Sequence, residues 1–335
     1  MKAVITGATG FVGGAIARRL AGEGIDVQVL IRPTTDLGRL SSYAVTRQAG
    51  DITDPATLTY AFDGADWVIH AAGMLGQAGV AEETYIQVNA EGTRNVLAAV
   101  AEARDAGRTP ENLRVLHVGS AGVLGPLRRG DQETLFDETM PTAPSNAYER
   151  SKTLAENYAR EFALSGLPVI IARPEFGYGP SDTHVLGLFQ AIQRGVFFYI
   201  GGGQNTCHPT YVDDMVDGLE LCLRQGRPGE TYQITGPRPV TFRGLAETIA
   251  RELGVRPPWL RIPRPLALAG VAGLEAAGNL MGRTMPLSRT AVAFFSESRR
   301  FSYVKAHREL DYTPQVDLEA GVARTVDWYR AEGML

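Results

Sequence analysis

Five apolar runs recur along roughly the first half of the chain, and between them lie four stretches whose apolar positions have helical spacing. The runs are 2–6 (KAVIT), 26–30 (DVQVL), 65–71 (ADWVIHA), 113–119 (LRVLHVG) and 168–173 (PVIIAR). Between them, 11–22, 54–63, 82–104 and 147–165 read as helices. The runs are almost continuously apolar rather than alternating. That is the pattern of strands covered on both faces in a parallel sheet. The strand–helix alternation predicts an α/β fold, a doubly wound parallel sheet with helices on both sides.

Beyond Pro174 the pattern changes. Glycine and proline crowd 174–181 and 201–209, a strand-like YQIT follows at 232–235, and helical spacing returns near 242–253, 266–281 and 317–332. The expected organisation is a sheet domain over 1–173 and a smaller, mostly C-terminal lobe over 174–335, with segments near 210–236 returning to the sheet. A chain of 335 residues suits one large domain plus a smaller one.

Composition narrows the partners more than the fold. The net charge of −4 and the absence of a lysine–arginine tract argue against nucleic acid. Two cysteines, Cys207 and Cys222, build neither a metal site nor a disulfide framework, so the expectation is no metal and a cytoplasmic protein. The first strand begins at Lys2, and no leader is read before it. Pro265 to Gly282 is strongly apolar but carries Glu275 and Asn279 and is short and glycine-rich for a membrane span. It reads as a buried or interface helix, with a membrane-surface helix as the other reading.

Candidate chemistry begins at Thr6-Gly7-Ala8-Thr9-Gly10-Phe11-Val12-Gly13, between the first strand and the first helix. Gly7 permits a tight turn, Gly10 lets a diphosphate approach the backbone, and Gly13 lets the helix pack close to the strand. The helix start then offers free N–H groups and partial positive charge to phosphates. In this strand–turn–helix context the motif predicts dinucleotide binding by Gly7, Thr9, Gly10, Phe11, Val12 and Gly13.

TGATGFVG resembles the TGxxGxxG fingerprint of the extended short-chain dehydrogenases/reductases, the NAD-dependent epimerase/dehydratase superfamily. The resemblance runs to about residue 330 and implies a Rossmann sheet. It implies that Asp51 and Ile52 meet the adenine, that Ala71, Ala72 and Gly73 end the strand beneath the diphosphate, and that Asn89 with Gly92 and Thr93 forms the family's NxxGT element. The last two groups also read simply as turns and caps.

Arg32 stands where the spacing from Gly13 places the residue that reads the adenosine ribose. An acid there would accept hydrogen bonds from both ribose hydroxyls and favour NAD(H). An arginine instead forks onto a 2′-phosphate, and Thr34 and Thr35 add hydroxyls. The expected cofactor is NADP(H), with NAD(H) as the alternative. The nearest acid, Asp36, lies four residues past Arg32.

Tyr148-Glu149-Arg150-Ser151-Lys152 is a YxxxK pattern, which on a helix sets Tyr148 and Lys152 on one face. A free tyrosine, with a pKa of about 10, is a poor base at neutral pH, and an adjacent ammonium would favour its phenolate. Ser120 follows the fourth apolar run, at the sheet edge where ligands bind. Ser120-Ala121-Gly122-Val123-Leu124-Gly125 resembles the family's SxxxYG element with leucine in place of tyrosine. The resemblance makes Ser120, Tyr148 and Lys152 the catalytic triad, with Lys152 also holding the nicotinamide ribose. Arg173-Pro174-Glu175-Phe176-Gly177-Tyr178-Gly179-Pro180 resembles the RPxxxYGP loop beside the nicotinamide. Arg173, Pro174 and Phe176 are therefore expected at the cofactor, and Glu175, Tyr178 and His208 at the substrate.

Tyr211-Val212-Asp213-Asp214 resembles the family's YVDD element, an acid cap on the following helix. Two positions depart from the nucleotide-sugar enzymes of the family. Phe176 or a neighbour stands where many carry asparagine, and Cys207 where many carry arginine. Both missing groups would grip a sugar diphosphate, although Arg283, Arg289, Arg299 or Arg300 could supply charge. IRPTTDLGRL, AGDITDPATL, Ser298-Arg299-Arg300-Phe301-Ser302 with Lys305-Ala306, and Glu309 to Pro314 resemble the dihydroflavonol-reductase-like, hopanoid-associated and 3β-hydroxysteroid-dehydrogenase-like branches. Three readings follow. The first is an NADP(H)-preferring reductase or dehydrogenase interconverting a secondary alcohol and a ketone. The second is a nucleotide-sugar epimerase or dehydratase with tightly bound NAD. The third is a non-catalytic dinucleotide sensor, against which the intact triad argues. A small-molecule substrate and a homodimer pairing through 82–104 and 147–165 complete the expectation.

Overall fold

β1 (Lys2–Thr6), β2 (Asp26–Ile31), β3 (Thr46–Ala49), β4 (Trp67–His70), β5 (Arg114–Val118) and β6 (Val169–Pro174) form where the apolar runs lie, and β3 is an addition to them. A computed structural model describes residues 1–35, 44–77, 79–127, 134–281 and 289–335. After β6 come the two-residue strands β7 (Gly177–Tyr178), β8 (Tyr199–Ile200), β9 (Thr206–Cys207) and β10 (Thr210–Tyr211). β11 (Thr231–Ile234) then rejoins the main sheet, and β12 (Val240–Thr241) and β13 (Arg261–Ile262) pair with β9 and β8.

The main sheet has seven parallel strands in the order β11-β6-β5-β4-β1-β2-β3. The order reverses between β1 and β4, and the crevice beyond their carboxyl ends is the switch point where ligands bind in such sheets. Alternate strand residues serve opposite faces. Ala3, Ile5, Val27, Val29, Ile69, Leu116 and Ile170 share one core with Ile16 and Leu20 of α1 (Phe11–Gly22). Val4, Leu30, Val68, Val115 and Val169 share the other with the far-side helices. On that far side α2 (Glu82–Tyr85) runs through a π-helical stretch, Ile86–Glu91, into α3 (Gly92–Asp105), and α4 (Ala147–Leu164) packs beside it. The stretch expected as a helix at 54–63 is only a 3₁₀ turn, Pro55–Leu58, started by Pro55 under an Asp54 cap.

A second core belongs to the lobe. It joins α5 (Leu186–Gln193), α7 (Phe242–Leu253) and α11 (Leu318–Ala331) around Phe189, Phe242, Ile249, Val322 and Tyr329, and it shares Val212 and Val216 with α6 (Val212–Gln225). α8 (Arg264–Met281) and α9 (Arg289–Ser296) flank it. Ala267 and Val271 of α8 are buried while Leu266 and Leu268 are exposed, so α8 buries only one face. Among the described residues no helix is long and apolar enough to cross a membrane. α10 (Val304–Leu310), which the sequence pattern did not single out, returns with α6 to the sheet through Ala306 and Leu310. The chain past Pro174 thus contributes to both cores.

Candidate functional site

The glycine turn lies at the switch point. Gly7 has φ +76, and a Cβ there would stand 2.5 Å from the Ala72 nitrogen and 2.6 Å from the Ala71 carbonyl carbon. The turn is therefore pressed onto the end of β4. A Cβ on Gly13 would collide with the Gly7 carbonyl, so α1 can approach the turn only without a side chain there. The Gly10 N–H closes the turn onto the Gly7 carbonyl at 2.9 Å. Gly10 is also the N-cap of α1, with no side chain capping the helix and no acid in its first turn. Thr9 and Val12 are half-buried on either side, and Phe11 reaches across to Gly177 of β7. An uncapped helix start behind a cradle that a Cβ would fill suits the oxygens of a dinucleotide diphosphate.

Arg32 is exposed at the end of β2, and the Thr35 N–H returns to its carbonyl at 3.0 Å. Asp51 lies across from it. A hydrogen bond from the Thr53 N–H (2.9 Å) holds the Asp51 carboxyl below its ordinary pKa, with the Thr53 hydroxyl (2.8 Å) and the Arg32 charge adding to the effect. Arg32 and Asp51 therefore border one space. Ile52 packs on Gly92, and its carbonyl accepts from Asn95 Nδ2 at 2.9 Å. Asp36 lies outside the described residues.

Ala71, Ala72 and Gly73 follow β4. The Thr6 hydroxyl contacts His70 Nδ1 at 2.7 Å and accepts from the Ala72 N–H at 3.3 Å. Thr93 holds His70 Nε2 at 2.9 Å. Asn89 differs from its expected role. Its Oδ1 accepts from the Met74 N–H at 2.6 Å, while its Nδ2 donates to the Met74 carbonyl at 3.0 Å and to the Ser151 hydroxyl at 2.9 Å. With those bonds made, Asn89 ties the loop after β4 to α4 rather than presenting an amide to a cofactor.

The sequence brings Ser120, Tyr148 and Lys152 from two elements. Ser120 caps the 3₁₀ turn Ala121–Leu124, its Oγ accepting from the Gly122 N–H at 3.1 Å. Asn146 caps α4 by accepting from the Glu149 N–H at 2.9 Å, and Glu149 reaches back to the Ser145 N–H at 2.6 Å. This capping fixes the first turn, which carries Tyr148. Burial pushes the Tyr148 phenol up to about 12; the Ser120 hydroxyl works the other way, and Glu175, Glu149 and Tyr85 reinforce the rise. Lys152 donates to the Val118 carbonyl at 2.9 Å, below the loop at Gly73, and burial pulls its ammonium down to about 8 against the pull of Glu156. The Lys152 charge also acts on His70 and His117, whose tilted rings lie 5.6 Å apart and which burial keeps neutral, His70 at about 3.

Arg173 in β6, Tyr178 in β7 and His208 between β9 and β10 differ from expectation. Arg173 is buried in a pair with Glu156 of α4, with Nε–Oε2 at 2.8 Å and Nη2–Oε1 at 2.6 Å, so its charge is spent inside the protein and not on a cofactor. Tyr178 is buried against Tyr211 and against Gly321 of α11, in the core and not at a substrate surface. His208 is also a core residue. Its Nδ1 accepts from the Phe301 N–H at 3.2 Å and its Nε2 donates to the Gly236 carbonyl at 2.9 Å, which fixes the tautomer, and burial holds it neutral at about 4. Pro174 ends β6, half-buried, and Phe176 packs edge-on to Phe294 at 5.5 Å. Glu175 is buried, and its charge acts on Tyr148.

A residue that the sequence offered only as a possible source of charge completes the site. Arg299, only 7% exposed, reaches Glu149 Oε1 at 2.8 Å, so α4 is pinned by a residue 150 positions away. Asn146 with Glu149 three positions on is capping-box spacing and was readable. The arginine had no local signal. Arg283 and the side chain of Arg289 lie outside the described residues.

The sequence model of the NAD-dependent epimerase/dehydratase family matches residues 3–235. The chain is similar to a 2-alkyl-3-oxoalkanoate reductase of Shewanella oneidensis, 29% identical over 96% of this chain and 84% of that protein. It is similar also to a 4-hydroxy-2-methyl-3-oxo-4-farnesyl-3,4-dihydroquinoline-1-oxide ketoreductase of Stigmatella aurantiaca, 27% identical over 96% of this chain and 95% of that one. Among solved structures, the dTDP-glucose 4,6-dehydratase DesIV of Streptomyces venezuelae, with NAD bound, superposes with a TM-score of 0.79 at 26% identity, covering 99% of this chain and 97% of that one.

Proposed function

This chain belongs to the NAD-dependent epimerase/dehydratase family, and on that premise we propose that it is an NADP(H)-preferring oxidoreductase interconverting a secondary alcohol and a ketone. One observation carries the choice of reductase over sugar-nucleotide enzyme. The wall beyond β6 is made of Phe176 on Phe294 with buried Cys207 nearby, and Arg299 is already held by Glu149. A sugar diphosphate would need cations there, and among the described residues Arg299 is already paired. An apolar ketone needs none. Similarity to an oxoalkanoate reductase and a ketoreductase supports the same reading.

The cradle at Gly7, Gly10 and Gly13 holds the diphosphate, Arg32 with Thr35 reads the 2′-phosphate, Asp51 and Ile52 border the adenine, and Lys152 reaches the nicotinamide ribose. When bound, the nicotinamide dinucleotide supplies or accepts the hydride. Tyr148 passes its proton to the substrate oxygen in reduction and takes it back in oxidation, and Ser120 polarises that oxygen. Residues 1–173 form the dinucleotide domain and 174–335 mostly the substrate lobe. We place the protein in the cytoplasm as a homodimer through α2–α3 and α4.

Purified protein, denatured and assayed for released dinucleotide, should yield far less than one NAD(H) per chain. The native protein should oxidise NADPH with a β-keto ester. Tightly held NAD(H) together with turnover of a sugar nucleotide would instead select the epimerase or dehydratase reading.

A further inference from the structure

Glu175 is a buried acid that the triad chemistry leaves unused. It directly follows β6, whose register with β5 pairs Ala172 with Val118, so Glu175 emerges at the sheet edge beside Ser120. Its N–H is tied to the Ile234 carbonyl at 3.3 Å. The next residue, Phe176, has φ 31, a left-handed conformation that a phenylalanine rarely adopts. Such strain persists where the surroundings over-determine it. Here it turns the chain sharply just after Glu175.

The charged and titratable groups facing Glu175 are Tyr148 and Glu149 from α4, Arg299 from the segment after α9, and Cys207 from β9. Arg299 is shared already, with Glu149 at 2.8 Å and Glu297 at 3.6 Å. Carboxylates therefore outnumber the guanidinium. Glu175 is 7% exposed, and no described residue hydrogen-bonds its carboxyl. An ionised carboxylate in that position would lack donors and have only a share of the Arg299 charge, which is costly. A neutral carboxylic acid offers one donor and one acceptor instead.

We infer that Glu175 binds a second oxygen of the substrate, one or two carbons from the reacting centre, and so selects β-oxygenated ketones over bare ones. This rests on the reductase reading for the reacting oxygen itself, which Tyr148 and Ser120 occupy. A bare ketone leaves the buried acid unpaired, and a site built to hydrogen-bond a group discriminates against substrates lacking it. Burial pushes the Glu175 carboxyl up to about 7, with Arg299 opposing and Glu149 reinforcing. The acid is thus mostly neutral in mildly acidic solution and loses its proton as pH rises through that value.

The test compares ethyl 3-oxohexanoate with 4-nonanone, chains of equal length that differ in the second oxygen function, in NADPH-dependent reduction. At about pH 6 the wild type should prefer the keto ester by about tenfold or more in kcat/KM. Glu175→Leu should bring that ratio to about one, chiefly by raising KM for the ester. Glu175→Gln keeps a donor and an acceptor, so it should retain the preference. It should lose the rise in ester KM that the wild type shows between about pH 6 and pH 8. An infrared band of a protonated carboxyl, missing in Glu175→Gln, should shift when the ester is added to cofactor-loaded wild type. The inference is overturned if Glu175→Leu lowers both substrates equally, if Glu175→Gln keeps the wild-type pH dependence, or if the band does not move. A wild type that shows the shift yet oxidises no NADPH sinks the reductase reading and leaves the assignment of Glu175 standing.

Discussion

Tyr148 sits among three groups that raise its pKa after burial has done so, and one, Ser120, that lowers it. Removing the Ser120 hydroxyl should therefore push the phenol further from ionisation. In alcohol oxidation, which needs the phenolate, Ser120→Ala should move the alkaline limb of kcat/KM to higher pH and cut turnover about a hundredfold. A limb that stays in place would refute the contact. Tyr148→Phe should bind dinucleotide nearly as well as wild type while losing turnover by about a thousandfold or more; a variant that still turns over briskly would overturn the proton-transfer role. Arg32 is the residue whose chemistry was clearest before any coordinates, because an exposed strand-end position reports mostly its own side chain. Arg32→Asp should weaken NADPH binding by about tenfold or more, roughly the worth of a charge-assisted fork, and leave NADH binding little changed. Equal losses for the two cofactors, read by fluorescence titration, would remove the 2′-phosphate role. Tyr178 and His208 were misleading at this scale, since a polar side chain in a glycine-rich loop carries no mark of whether the loop faces solvent or core.

At the scale of elements, α1 and α4 hold the site and each depends on one close contact. α1 reaches the turn because Gly13 has no side chain against the Gly7 carbonyl. α4 is fastened to β6 by the buried pair of Arg173 with Glu156, which also takes Arg160 at 2.8 Å. Glu156→Gln leaves a guanidinium buried without its counter-ion and should lower unfolding free energy by about 3–5 kcal/mol. A urea titration showing less than about 1 kcal/mol would mean that the pair is replaced by other contacts. The strand and helix periods were readable because they are local: a residue in a strand or helix repeats its environment every two or about three and a half positions. β3, α9 and α10 were not singled out, for β3 is largely exposed and α10 is too short for a period to register.

For the molecule as a whole, pH should act mainly through the buried histidines. His70, His117 and His208 are all held neutral by burial, below the value of an unfolded histidine. Below about pH 6.5 the unfolded chain binds protons at these three positions that the folded one refuses, so stability falls as pH drops through that value and toward the folded ones. Glu175 acts in the opposite sense between its ordinary value and about 7, because there the folded state holds the proton. Glu138 and Asp214, raised by burial, act in the same sense as Glu175, so these carboxyls offset part of the uptake by the three histidines near pH 5.5. Denaturant titrations across that range should show a clear fall toward acid. A flat profile would mean that the histidines find water or partners in the folded state.

What the sequence determined by itself is what local chemistry decides. Apolar runs covered on both sides make parallel strands, a glycine turn between strand and helix makes a cradle that a Cβ would fill, and i, i+4 spacing puts Tyr148 and Lys152 on one helix face. Tertiary structure alone decided which polar groups spend their hydrogen bonds inside the protein. Arg173, Asn89 and His208 do, and Arg299 crosses the fold to Glu149. It also decided that Glu175 is left with an acid to share. Such choices depend on which distant segments pack together, and burial makes every unpaired charge costly enough for packing to settle the matter.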